Sequence, residues 1–238
     1  MTTIRFAIAA FISMYAFNAS AQSLEEIIKN HNKAIGGEKK WHDIHSVKMS
    51  GNFISEEGQK VLFTYTVADG NGIRKQYTYE NTGATAYVAI TDSNGAAYIP
   101  QPGLRVRPEA IPPVSVHKMR YALDAQDPLI NYKKKGNKIT YEGKHKVLGD
   151  LQCYKLQLAP RKEGDLPEYI YLDTTNYYIV LVATDNEHGE LDLIKFYNFK
   201  TMPDGVTYPM SFNEGSGRQD IDKIEFNVPV DASMFELH

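Results

Sequence analysis

The sequence predicts a mainly β protein of the α+β kind. One antiparallel sheet of about 11 strands curls into an incomplete barrel, wrapped on an N-terminal helix and a helical insert. Three observations predict it. From residue 46 onward, apolar and polar residues alternate in short runs, as half-buried strands require. Each run closes on Gly, Asn, Asp or Pro, so neighbouring strands are joined by tight turns. Helical spacing appears in only two places, just after residue 23 and around residues 114–132.

The first 21 residues read as a secretory leader. Arg5 supplies a positive start, Phe6 to Phe17 is a largely apolar run, and Ala19-Ser20-Ala21 offers a small-x-small cleavage pattern before Gln22. A membrane-spanning helix needs about 20 apolar residues; this run has 12, broken by Ser13. No cysteine follows it to carry a lipid, so the expected mature chain is a soluble periplasmic protein of 217 residues. That length fits a single domain, 22–238, with a core large enough to need no staples.

Charge and cysteine content exclude several classes. Arg5 leaves with the leader, so 25 basic residues face 29 acidic ones, with no excess to neutralise phosphates. Nucleic acid is therefore excluded as a partner. Cys153 is the sole cysteine, so an internal disulfide is ruled out, and its place in the alternating "LQCYKLQL" reads as a small buried hydrophobe.

Element by element, Ser23 and Glu26 have capping-box spacing. Leu24, Ile27, Ile28, His31 and Ile35 share one helical face, and Gly36-Gly37 stops the helix. Glu38 to Asp43 can form one more turn. The period then changes to two: Val47, Met49, Gly51 and Phe53 fall on one side of a first strand, and Val61, Phe63, Tyr65 and Val67 on one side of a second. "IRKQYTYENTG", "ATAYVAITDSNG" and "AAYIPQPG" complete a meander of about five strands. Five prolines in "PQPGLRVRPEAIPP" cannot lie in a sheet interior. "VSVHKMRYALDAQDPLINY" follows as one or two short helices, with Pro128 as a break, and seven further strand-like runs lead to "DASMFELH".

Searches for catalytic chemistry return nothing specific. In "WHDIH", His42 and His45 are three apart, but a zinc or iron site needs three or four ligands and none follows at a recognised spacing. "TDNEHGELD" gathers acids around His188 out of register with a calcium loop and reads as a polar hairpin turn. Ser216 in "EGSGRQ" lacks the nucleophile elbow. Neither a cofactor nor a metal is called for. What stands out is 16 tyrosines and 10 phenylalanines, many on strands. A curved sheet with one apolar concave face can hold a lipid chain wherever a helix leaves space. Burying a chain of about 16 carbons at ~0.8 kcal/mol per methylene supplies at most ~13 kcal/mol. Candidate lining residues are Met49, Phe53, Val61, Phe63, Tyr65, Met119 and Leu123.

The order and spacing of several segments resemble the periplasmic lipoprotein-carrier (LolA-like) superfamily, in its Bacteroidetes-type form. "LEEIIKNHNKAIGGEKKWHDIHSVKMSG" is similar to that group's opening, and "AYVAITDSNGAAYIPQPG" to its strand, turn, strand and proline exit. "VLGDLQCYKLQL", "EYIYLDTTNYYIVLV", "GVTYPMSFN" and "FNVPVDASMFEL" resemble its later strands and its ending. The resemblance implies a half-barrel closed by a helical lid, here residues 114–132, and a non-enzymatic carrier of lipid or acylated lipoprotein. Inner- and outer-membrane partners would load and unload it. It also implies a lid latch at Arg74 in "GIRKQYTY", although the fuller Arg-Pro-x-x-x-Arg-Trp pattern of dedicated carriers is missing. Alternation opposes that role, because it sets Arg74 with Gln76 and Thr78, away from Tyr77 and Tyr79. The second reading is an envelope accessory module whose barrel is filled and which acts through protein contacts. A third is an enzyme with a spatially assembled site, which buried converging carboxylates or histidines in the pocket would favour.

Overall fold

The computed structural model describes residues 22–101, 103–104, 106–185 and 190–236. The expected leader, residues 1–21, and most of the acidic turn around His188 lie outside the described residues.

Helix α1 (Leu24–Ala34) starts where the sequence places it, with Ser23 Oγ accepting from the Glu26 N–H at 3.2 Å. Its Ile27, Ile28 and His31 are buried. Gly36 ends it with φ +109°, and a Cβ there would stand 2.1 Å from the Gly205 carbonyl oxygen, so only glycine fits. This close approach lets the Thr207 N–H donate to the Ile35 carbonyl at 2.9 Å, tying a late strand to the first helix. A short α2 (Glu38–His42) follows.

Strands β1 (Ser46–Ser55), β2 (Lys60–Ala68), β3 (Gly72–Thr78), β4 (Thr85–Ile90) and β5 (Gly95–Tyr98) form the expected meander. A two-residue β6 (Glu109–Ala110) extends it from inside the proline-rich stretch. It is an edge strand, the one sheet position such a segment tolerates. The second meander is β7 (Ile139–Val147), β8 (Leu151–Leu158), β9 (Glu168–Asp173), β10 (Ile179–Asp185), β11 (Leu191–Thr201), β12 (Thr207–Asn213) and β13 (Gly217–Phe226). All 13 lie in one antiparallel sheet, ordered β6-β5-β4-β3-β2-β1-β13-β12-β11-β10-β9-β8-β7. The first and last strands therefore meet at its centre, while β6 and β7 stay unjoined at the open edges. Register slips between Ser50 and Gly51 and between Ile179 and Leu181 mark bulges that sharpen the curl. A Cβ on Gly51 would lie 2.0 Å from the Asp220 carbonyl oxygen.

The helical insert is shorter than expected. It holds α3 (Pro113–Lys118) and a 3-10 turn (Arg120–Leu123), after which residues 124–136 run mainly through bends and turns. The reason is local: Asp124 Oδ1 accepts from the Gln126 N–H and Asp127 Oδ1 from the Leu129 N–H, so side chains replace the helical ladder just before and after Pro128.

The concave face carries two cores. One gathers Val47, Met49, Phe63, Ile73, Phe212 and Ile221 around Trp41 and Ile44. The other packs Ile27 and Ile28 of α1 against Leu156, Leu158, Ile170 and Leu172. On the opposite face of β8–β10, Cys153 is fully buried beside Tyr171 and Leu181, and burial, with Asp173 nearby, pushes its thiol up to about 11. Such a thiol is unreactive at neutral pH.

Candidate functional site: a cavity at the seam of two cores

Between the two cores lies a cavity of about 260 Å³. It exists because two packing centres, each filled from one end of the α1–α2 unit, leave a gap where the sheet bends. Met49, Tyr65 and Val67 form one wall, Ile179, Val182, Ile194 and Phe196 another, and Tyr208 and Phe212 the back. Ile35, Trp41 and His31 underlie it, and Met119, Tyr121, Ala122, Ala125 and Pro128 of the insert cover it.

Of the residues expected in the lining, Met49, Tyr65 and Met119 are in the wall. Phe53, Val61, Phe63 and Leu123 are not. Phe63 meets Phe212 edge-on at 6.1 Å and Phe53 meets Tyr77 at 5.5 Å, so that end of the half-barrel is filled with side chains. Val61 is buried outside the wall. Leu123 packs on the first core and borders an outer groove with His42 and His45. Parity correctly gave the face, but it could not say which part of the face is filled.

Arg74 corrects the latch expectation. It lies on the other face of β3, where its guanidinium sits 3.7 Å above the Tyr87 ring and Nη1 donates to the Met234 carbonyl at 3.0 Å. It holds the C-terminal 3-10 turn (Ala232–Phe235), not the cavity cover. The arginine that fastens the cover is Arg120, on the cover itself. Its Nε donates to Asp165 Oδ1 at 2.6 Å, and its Nη1 to Asp92 Oδ1 at 2.7 Å and to the Asp92 carbonyl at 2.6 Å. Burial works against the charge on Arg120, but Asp165 and Asp92 outweigh it and raise its pKa. Lys162 pairs with Asp92 as well, and its hydrogen bond is the main cause holding that carboxyl below its usual range.

The far end of the cover is fastened to "WHDIH". Gln126 Nε2 donates to the carbonyls of His42, at 2.9 Å, and Ile44, at 3.2 Å, and the Ala125 N–H donates to Asp69 Oδ1 at 2.8 Å. Trp41 is buried, donates from Nε1 to the Ile35 carbonyl at 2.9 Å and stacks on Tyr208 with ring centres 5.9 Å apart. His42, Asp43 and His45 are on the wet side. The motif is a structural corner that supplies both cavity wall and cover attachment.

The cavity is not uniformly apolar. Lys75 and Glu214, partly exposed, pair across 2.5 Å at its margin. Inside, His31 is 1 % exposed. Its Nδ1–H donates to the Tyr177 carbonyl at 2.7 Å. Nε2 lies 3.1 Å from Asp127 Oδ1, off the line of a hydrogen bond. Burial alone would lower this imidazole, but the charge of Asp127 and the Tyr177 carbonyl together raise it. Glu168 opens β9 on the same parity as Ile170 and Leu172 and is 9 % exposed. Among the described residues its carboxyl has neither a hydrogen-bond nor an ion-pair partner. Burial, countered by Arg161 and reinforced by Asp127, pushes it up to about 7. Sequence reading had a signal for His31, which shares the apolar helix face, but none for its meeting with Asp127 and Glu168.

The sequence matches no protein-family model. It matches no curated protein either. Solved structures do resemble it. A domain described as an outer membrane lipoprotein-sorting protein from Vibrio parahaemolyticus superposes with TM-score 0.53 at 14% identity, over 88% of this chain and 94% of that one. A LolA superfamily protein from Nitrosomonas europaea gives 0.54 at 10%, over 89% and 97%. A DUF1329 family protein from Desulfovibrio piger gives 0.52 at 13%, over 87% and 95%. Over nearly nine-tenths of its length, this chain has the LolA-like fold.

Proposed function

We propose that this protein is a non-enzymatic binding protein of the bacterial envelope that holds an acyl chain, as a lipid or an acylated lipoprotein, in its half-barrel. The observation that carries the reading is the cavity: a gap walled mainly by apolar side chains, inside an unclosed sheet, under a segment fastened at its rim by Arg120 and Gln126. Its 260 Å³ is just under the ~300–1,000 Å³ of ordinary ligand sites. A chain methylene needs about the ~30 Å³ of a liquid water, so the covered cavity takes roughly nine such groups. A longer chain requires the cover to lift. The LolA-like fold supports the reading, as does the description of the Vibrio parahaemolyticus domain by lipoprotein sorting. Export to the periplasm by residues 1–21, and membrane proteins that load and unload the cargo, belong to the same proposal.

The filled end of the half-barrel, around Phe53, Phe63, Tyr77 and Phe212, favours a second reading, an accessory module acting through protein contacts. Native mass spectrometry of the protein purified from its own periplasm separates them. Excess mass that is lost on delipidation and fragments as acyl chains is the expected result. A clean apo mass, together with failure to bind a fluorescent fatty acid, would leave the accessory module.

A further inference from the structure

A buried carboxyl without a partner costs free energy unless something satisfies it. Glu168 is such a group. It is 9 % exposed, it lies in the cavity wall, and among the described residues its side chain has no hydrogen-bond partner. The charges that act on it are Arg161, which favours its ionised form, and Asp127, which opposes it. His31 on α1 faces Asp127, and Asp124 is held by Lys135 at 2.7 Å. Arg161, on the loop before β9, donates to Asn137 at 2.8 Å and stacks 4.4 Å over Tyr121. Thr184 stands beside Glu168 in the β9–β10 ladder and also lines the cavity. Glu168 lines the cavity, so a ligand there can supply the hydrogen-bond partner its carboxyl lacks.

We propose that Glu168 is the polar anchor of the cavity, hydrogen-bonding the oxygen end of an acyl group whose hydrocarbon chain lies along Val182, Ile194 and Phe196. The ligand class that follows is an acyl ester, amide or acid with its carbonyl turned inward, rather than a bare hydrocarbon tail. A carboxyl held near 7 carries its proton below neutral pH, so there it donates to a carbonyl oxygen, which an ionised glutamate cannot do. This inference rests on the acyl-binding reading.

The test uses two small probes: methyl hexanoate, which offers a carbonyl, and toluene, which offers apolar surface alone. Saturation-transfer NMR gives affinities, and the infrared stretch of carbonyl-labelled methyl hexanoate reports the hydrogen bond. At pH 6 the wild-type protein is expected to bind both, with the bound carbonyl shifted below its value in alkane solvent. Glu168→Leu should bind the ester about tenfold more weakly, bind toluene unchanged and lose the shift. Glu168→Gln keeps an N–H donor that does not ionise, so it should retain the shift at pH 8, where the wild type loses it. If neither probe binds, the acyl-binding reading fails and takes this inference with it. If both bind with an unshifted carbonyl, or if Leu weakens both equally, the anchor is overturned while the apolar cavity stands.

Discussion

Arg120 Nε and Asp165 Oδ1 stand 2.6 Å apart, joining the segment that covers the cavity to the loop between β8 and β9. Both side chains are almost wholly buried, at 8% and 2% exposure. Removing one partner of such a pair leaves the other charge stranded, at a cost of about 3–5 kcal/mol. Arg120→Ala should therefore lower the free energy of unfolding by that amount, read from the shift in the denaturant midpoint. Amide exchange should speed up first in residues 113–126. Asp165→Ala on top of Arg120→Ala should recover part of the loss, and a double-mutant cycle measures the coupling. Strict additivity of the two changes would sink the clamp.

Glu168 makes stability depend on pH in a defined direction. Its folded pKa, about 7, lies above its ordinary 4.5, so the folded state binds the proton more tightly. The stabilisation is complete below about 4.5 and is lost as pH rises through about 7, on the order of 3 kcal/mol in all. His31, also raised, acts with the same sign from 6.5 upward. Urea midpoints at pH 5, 6, 7 and 8 should fall more steeply for the wild type than for Glu168→Gln. Parallel curves would show that the carboxyl is not perturbed.

Trp41 is the sole tryptophan and stands in the cavity wall. Its emission should be blue-shifted in the free protein and should change in intensity, saturably, as a medium-chain fatty acid is titrated in. Trp41→Ala removes the stack on Tyr208 and the bond to the Ile35 carbonyl, at a cost of about 3–5 kcal/mol.

Filling the cavity separates binding from folding. Val182→Phe projects a ring into the space between Ile194 and Ile179, where room already exists. Stability should change by less than about 1.5 kcal/mol, while a fluorescent fatty acid should bind at least tenfold more weakly. Unchanged binding would place the chain elsewhere.

Arg74→Ala is the counterpart. It removes a cation–π contact with Tyr87 and the bond to the Met234 carbonyl, together worth about 1–2 kcal/mol. Exchange should rise in residues 232–236, with fatty-acid affinity unaltered. A loss of affinity would restore a role at the cover.

The features the sequence revealed are those set by local periodicity. Ser23 and the apolar stripe of α1, the parity of Met49 and Tyr65 and the exclusion of the proline-rich stretch from the sheet interior could all be read from neighbours within a few residues. Alternation even placed Arg74 on the correct face against the latch that resemblance implied. Phe53, Val61 and Phe63 were on the correct face too, but whether a concave side chain meets a cavity or another ring depends on strands far away in the chain.

The sequence by itself determined the fold class and the faces of the first three strands, because turn chemistry and a two-residue period act locally. Only the tertiary structure decided where space is left. The pairing of β1 with β13 brings opposite ends of the chain together, and the two cores this creates do not quite meet. His31, Asp127 and Glu168, spread over 138 positions, come to one cavity through that closure alone. A gap is set by packing among distant side chains, and no local pattern encodes it.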